Sequence, residues 1–186
     1  KSLIFEDNDG AFYANQDGLT KLDMNEEENP ENPDPGEDDE EDTYELLGTG
    51  RWTDDIVAPL FGRSIETYDV EVYENPATPG VIYLKDLYTN AYAGVLENTF
   101  GIDASNIPTW ETSYFAIDIS DPAAVNITYQ PTGLNLGYGN MGIWSLETGK
   151  LENGILTFPT KGLAIDLPED GAYYANQSGK TRLVLP

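Results

Sequence analysis

One fourteen-residue stretch occurs twice in this chain, and it limits what the chain can be more than any other feature. Asp9-Gly-Ala-Phe-Tyr-Ala-Asn-Gln-Asp-Gly-Leu-Thr-Lys-Leu22 returns 161 residues later as Asp170-Gly-Ala-Tyr-Tyr-Ala-Asn-Gln-Ser-Gly-Lys-Thr-Arg-Leu183. Ten of the fourteen positions are identical without a gap, and Phe12 for Tyr173 and Lys21 for Arg182 are conservative. Chance does not give that in 186 residues. The element is a duplicate.

Aromatics flanked by glycine, followed by Asn-Gln and another glycine, predict strand, turn, strand. In the second copy the arms would be residues 172–176 and 180–185, joined by a turn at 177–179. Thr181, Leu183 and Leu185 then alternate with Lys180, Arg182 and Val184, the period of a strand with unlike faces. A lone hairpin is marginal in water, so residues 1–24 are not expected to stand as a domain. Three arrangements meet this: the last hairpin of an upstream related module, added strands docked on the downstream domain or another molecule, or two hairpins of one closed fold. The first is the leading expectation.

Residues 25–42 hold eleven carboxylates, three prolines, one glycine and no apolar residue. Such a segment buries too little surface to offset its ordering entropy, and self-repulsion extends it. It reads as a disordered acidic spacer, ahead of a calcium-sequestering or partner-binding tail. The whole chain, with 34 acidic and 9 basic residues, carries a formal charge of −25. That excludes nucleic acid as a partner and disfavours anionic membrane surfaces. No run approaches the ~18 apolar residues of a transmembrane segment. The chain opens at Lys1 without a methionine, from which a processed or trimmed N-terminus is expected.

From residue 43 to 186 short strand patterns recur at the spacing of an all-β domain. Tyr68, Val70 and Val72 alternate with Asp69, Glu71 and Tyr73, and residues 75–80 form a turn into a return strand at 81–88. The second half of residues 50–61 predicts a short helix capped by Thr53 or Asp54. Further strands are expected at 113–119, 125–130, 141–146, 155–158 and 162–166. Glycines spaced through 132–139 predict bulges. The expectation is an antiparallel β-sandwich of roughly ten short strands, with a closed β-barrel as the alternative.

Several stretches of this domain look familiar together: Gly48-Thr-Gly-Arg-Trp-Thr-Asp-Asp55, Val70-Glu-Val-Tyr-Glu-Asn-Pro-Ala-Thr-Pro-Gly80, Ile117-Asp-Ile-Ser-Asp-Pro122, Thr132-Gly-Leu-Asn-Leu-Gly-Tyr-Gly139, and Ile155-Leu-Thr-Phe-Pro-Thr-Lys-Gly-Leu163 through Arg182-Leu-Val-Leu-Pro186. In their order and spacing residues 43–186 resemble a family of small secreted lipoproteins of Bacteroidetes with no assigned activity. The resemblance implies an extracellular position on the outer membrane, in company with nutrient-import machinery. It implies no catalytic residues. The chain lacks the lipid-accepting cysteine, so an anchor is presumed upstream of Lys1.

Without histidine or cysteine, the chain has no imidazole base, no thiolate metal site, no disulfide and no nucleophilic triad. Carboxylates are abundant, but no spacing singles out a glycosidase pair. An EF-hand at residues 7–10 fails, because glycine at the sixth position would make Phe5 the first ligand. Calcium is chemically reasonable at Asp54-Asp55 or at Asp118 with Asp121, though no motif supports it, and no other cofactor is expected. Aromatic side chains are the remaining lead, as platforms for a sugar ring or a peptide. Trp110, Tyr138 and Tyr174 are the candidate ligand-binding residues. Trp144, alternating with Gly142 and Leu146, and Trp52 after Arg51 are expected in the core. The functional expectation is a non-enzymatic, surface-exposed lipoprotein that binds a ligand or serves an outer-membrane importer of glycans or peptides. The alternative is a structural or adhesive tandem module of a cell-surface stalk.

Overall fold

Alternation sets the strands and the strands set the sheets. In the computed structural model, which describes residues 4–7, 10–13, 43–89, 91–92, 113–135 and 139–186, the chain divides into two units, Lys1–Asp39 and Glu40–Pro186. In the first unit β1 (Ile4–Asp7) and β2 (Gly10–Tyr13) pair antiparallel, with Ile4 opposite Tyr13 and Asp7 opposite Gly10. The acidic stretch 25–42 lies outside the described residues.

The second unit contains β3 (Glu45–Asp54), β4 (Glu66–Glu74), β5 (Val81–Lys85), β6 (Tyr114–Asp118), β7 (Gln130–Asn135), β8 (Asn140–Ser145), β9 (Lys150–Glu152), β10 (Ile155–Thr157), β11 (Leu163–Leu167), β12 (Gly171–Ala175) and β13 (Arg182–Val184). They form one seven-stranded sheet, ordered β6-β5-β4-β3-β13-β10-β9, and one four-stranded sheet, ordered β12-β11-β8-β7. Every ladder is antiparallel. The fold is all-β, two antiparallel sheets consistent with a β-sandwich. Val72, Leu84 and Ile117 of the larger sheet and Ile143, Leu163 and Ile165 of the smaller share one buried core. Each such side chain contributes roughly 1.5–3 kcal/mol by leaving water.

Local chemistry follows the sequence closely in the first half. Val70 and Val72 are buried while Asp69 and Glu71 face solvent. The β4–β5 hairpin turns on Asn75, whose side-chain oxygen accepts from the Ala77 N–H at 2.9 Å. Asp54 ends β3 and braces the turn that leads into the 3-10 helix Ala58–Phe61, whose N-cap position is Val57 rather than the expected Thr53 or Asp54. Its carboxylate accepts from the N–H groups of Ile56, Val57 and Ala58 at 2.8, 2.9 and 3.0 Å, and from the Tyr92 hydroxyl. Trp52 is fully buried, as expected.

Two expected elements differ. Residues 125–130 do not form a strand. Residues 125–129 make only the single bridges Val125–Gly149 and Asn126–Asp118, and Gln130 opens β7 opposite Ile143, because this segment carries the chain from β6 of one sheet to β7 of the other. The Gln130 side chain fastens that passage by bonding both the N–H and the carbonyl of Ala116 at 2.7 Å. The bulge expected near Gly133 is present, at φ 80° with a register shift between Pro131 and Asn135.

The closing hairpin is also corrected. β12 pairs with β11, whereas β13 pairs with β3 and β10 in the other sheet. Residues 176–181 are therefore a crossing between sheets rather than a hairpin turn. Asn176, at φ 52°, redirects the chain. Asp55 then accepts from the Ser178 N–H and hydroxyl at 2.8 and 2.6 Å and from the Lys180 N–H at 3.3 Å. Carried forward by 161 residues, the β1–β2 hairpin falls on residues 165–168 and 171–174, over the β11–β12 hairpin. In both copies the opening strand of the duplicated stretch pairs with the chain before it. The arms expected at the N-terminal copy after residue 13 lie outside the described residues.

Candidate ligand-binding surface

Period-two alternation on β8 sends Met141 and Ile143 into the core and Gly142 and Trp144 the other way. Trp144 was expected in the core from its alternation with Gly142 and Leu146. The alternation holds, but the side is the opposite one. Leu146 is 47% exposed and Trp144 half-buried, because the core side of this strand is already filled.

The ladders then assemble a row across the outer face of the smaller sheet. Tyr174 of β12 stands opposite Ala164 of β11, and Ala164 opposite Trp144 of β8. Just before β7, Tyr129 brings its ring to 5.5 Å from that of Trp144, tilted by 45°. At about 4.8 Å per strand the row spans roughly 15 Å. Tyr129 is 57% and Tyr174 62% exposed. Ala164 and Gly142 are the small residues of its floor.

Gly142 is there to admit a ring. A Cβ on it would meet the Tyr129 ring and hydroxyl at 2.6 Å. The Tyr129 hydroxyl donates to Asp166 at 3.3 Å, and desolvation together with the Asp166 charge holds the phenol above its usual pKa. At the far end the Lys161 ammonium lies 6.0 Å from the centre of the Tyr174 ring, within cation–π range. Gly142→Ala is expected to lift Tyr129 off the sheet while leaving the fold intact. Loss of the ring-current shifts that Tyr129 imposes on Gly142 and Trp144 would show it by NMR, and unchanged shifts would contradict the contact.

A cleft of about 290 Å³ opens beside the row, lined by Tyr83, Ala116, Asp118, Asn126, Thr128, Tyr129 and Gln130. That is near the lower end of small-ligand sites. Tyr129 belongs to both cleft and row. A larger hollow of about 490 Å³ lies over Tyr68, Val70, Glu71, Lys85 and Leu87. There Lys85 is engaged by Glu71 at 3.7 Å, and Tyr68 is half-buried against the core. A second tyrosine group, on the outer side of the larger sheet, packs on itself. Tyr44 stacks on Tyr114 at 3.8 Å and meets Tyr83 edge-on at 5.0 Å. Those rings hold the chain where it enters β3.

Of the residues expected from sequence, Tyr174 forms one end of the row, and Trp110 and Tyr138 lie outside the described residues. Tyr129, Asp166 and Lys161 join the row without having been among the expected residues. Their only signal in sequence was Gly142 next to an aromatic-rich strand, which cannot say which ring it accommodates. The acids considered for calcium are engaged: Asp54 and Asp55 as above, Asp118 by Ser120 at 2.6 Å and Asp121 by the Ala123 N–H at 2.9 Å. Among the described residues no three acidic side chains gather into a metal-sized cluster. No family model, curated protein or solved structure matches the chain.

Proposed function

We propose that this protein is a non-enzymatic, surface-exposed binding module whose outer aromatic row takes a neutral glycan chain. The observation that carries the reading is the row itself: Tyr129, Trp144 and Tyr174 on one face of a hydrogen-bonded sheet, with a glycine beneath one ring. Rings held on a rigid scaffold offer apolar faces to the flat faces of sugars, and the adjoining cleft supplies polar groups from Asn126 and Thr128. A formal charge of −25 repels acidic polysaccharides, which favours uncharged ones. The resemblance of residues 43–186 to Bacteroidetes lipoproteins supports a place on the extracellular face of the outer membrane, as an accessory to glycan or peptide import.

Affinity electrophoresis through gels containing soluble glucan, xylan or mannan tests this. At least one should retard the chain, and Trp144→Ala with Tyr174→Ala should weaken retardation by about tenfold or more, as expected for loss of two stacked rings. Free migration in every gel, or unchanged retardation of the variant, would overturn the reading. One observation favours the stalk alternative, the recurrence of a β11–β12-like hairpin at β1–β2.

A further inference from the structure

A strand at the end of a sheet offers a row of unpaired N–H and carbonyl groups, and left unguarded it pairs with another chain. Four strands end the two sheets of the β domain, and three of them are blunted. On β6 the Ala116 N–H and carbonyl are taken by the Gln130 side chain, and Asp118 is bridged to Asn126. β9 is only three residues long, with Lys150 and Glu152 at its ends. β7 carries Pro131 and breaks register before Asn135. β12 has none of these devices. Its five residues include no proline and no charge, and its ladder to β11 is unbroken. Among the described residues no strand pairs with its outer side.

The direction of its free groups follows from the ladders beside it. The Leu146 N–H donates to the Gly162 carbonyl at 2.8 Å, which makes Leu163 and Ser145 a non-hydrogen-bonded pair and turns the Leu163 backbone towards Ala175. By alternation Ala172 and Tyr174 aim their N–H and carbonyl groups away from β11, at the open edge. There the Tyr174 carbonyl accepts from the exposed Gln177 side-chain amide at 3.3 Å, a contact that an incoming strand displaces. Both faces of the strand are bare as well, with Tyr174 62% and Tyr173 49% exposed.

This edge is complementary to itself. Glu169 and Asp170, both exposed, precede β12. At its other end the Lys161 N–H donates to the Asn176 carbonyl at 3.0 Å, and the Lys161 ammonium lies 6.0 Å from the centre of the Tyr174 ring. Two β12 strands paired antiparallel about Tyr173 set Tyr174 of each copy opposite Ala172 of the other, so the outward groups bond on both sides of the dyad. The same register brings Asp170 of each copy opposite Asn176 of the other, beside that copy's Lys161. Parallel pairing would set acid against acid.

We infer that β12 is the interface of a symmetric homodimer, in which two copies pair antiparallel and their four-stranded sheets become one. Both Tyr174 rings then stand on one outer face. The pairing does not rest on what that face binds.

Sedimentation equilibrium of the full chain tests it, at about 0.15 M salt, where repulsion between two copies of charge −25 is screened beyond about 8 Å. Between about 5 µM and about 0.5 mM the mass should rise from 20.5 kDa towards twice that value. The Ala172 and Tyr174 amides should exchange with solvent more slowly over the same range. Tyr173→Lys sets two ammonium groups together at the dyad and should weaken the dimer about tenfold or more. Asp170→Lys should weaken it about tenfold, although it reduces the net negative charge of each copy. Adding Lys161→Asp restores that net charge and suits the φ of 59° at this position. The double variant should return to within about threefold of the native chain, which damage to the fold would not allow. A monomer throughout the range, a dimer in which the Ala172 and Tyr174 amides exchange as before, a dimer indifferent to Tyr173→Lys, or a double variant no tighter than Asp170→Lys alone would each overturn the assignment.

Discussion

Asn176→Ala is expected to lower the melting temperature of the β domain by about 10–15 °C, more than any exposed substitution. The residue is fully buried and holds three partners at the point where the chain leaves one sheet for the other. Alanine takes the side-chain partner from the Phe158 carbonyl and the Thr181 N–H, at roughly 1–3 kcal/mol for each group left without a partner in the interior, while the Pro159 carbonyl keeps the Gly162 N–H at 2.9 Å. It also places a Cβ-bearing residue without a compensating side-chain bond at φ 52°, which costs about 1 kcal/mol more. A total near 4–5 kcal/mol, at roughly 2–4 °C per kcal/mol for a domain of this size, gives the expected shift. Asn176→Gly removes the backbone strain but not the lost bonds, so it should recover only a few degrees. Calorimetry on both variants decides the matter. A fall of under 3 °C for the alanine variant would mean that the crossing is held elsewhere.

The second large effect is at Asp54. Alanine there removes the acceptor of three N–H groups and of the Tyr92 hydroxyl in one step, and should cost about 4 kcal/mol, close to 10 °C. The same site carries a pH signature. Burial raises the Asp54 carboxyl above its ordinary value of 3.8, with the bonds from Tyr92 and the backbone N–H groups opposing. Folded protein therefore binds this proton at higher pH than unfolded protein. The corresponding stability grows as pH falls through the raised value towards 3.8 and is lost as pH rises through it. Asp54→Asn does not titrate, so the other carboxylates cancel in the comparison. Urea unfolding at pH 7, 6, 5 and 4.5 should show the native chain gaining on Asp54→Asn as the solution is acidified. A difference that shrinks on acidification would contradict the assignment of Asp54 as a buried, raised carboxyl. Tyr68 and Tyr88, whose phenols are also pushed up by burial and by the Asp54 charge, form its immediate surroundings.

Legibility in the sequence followed the range of the forces involved. The β4–β5 hairpin, the short helical turn after Asp54 and the bulge at Gly133 depend on residues within a few positions of one another, and alternation and turn chemistry announce them. The crossing at residues 176–181 looks identical to a hairpin turn over that range. What diverts it is Asp55, some 120 residues earlier in the chain, together with the carbonyls of residues 158 and 159, and no local pattern reports such partners. Trp144 marks the same boundary. Its periodicity was readable, but which of two faces is inward depends on Met141 and Ile143 already filling the core. Tyr129 was invisible for a related reason, since its place in the row is set by Gly142 and Asp166 across neighbouring strands.

The most direct test of the account is a titration of the ¹⁵N-labelled chain with neutral hexasaccharides of glucose, xylose and mannose, followed at the Trp144 indole and the Ala164 amide. The account predicts that at least one sugar shifts both signals saturably, while the buried Trp52 indole stays fixed. Sugars that leave Trp144 and Ala164 unmoved, or that shift only the residues of the hollow over Tyr68 and Lys85, would contradict it.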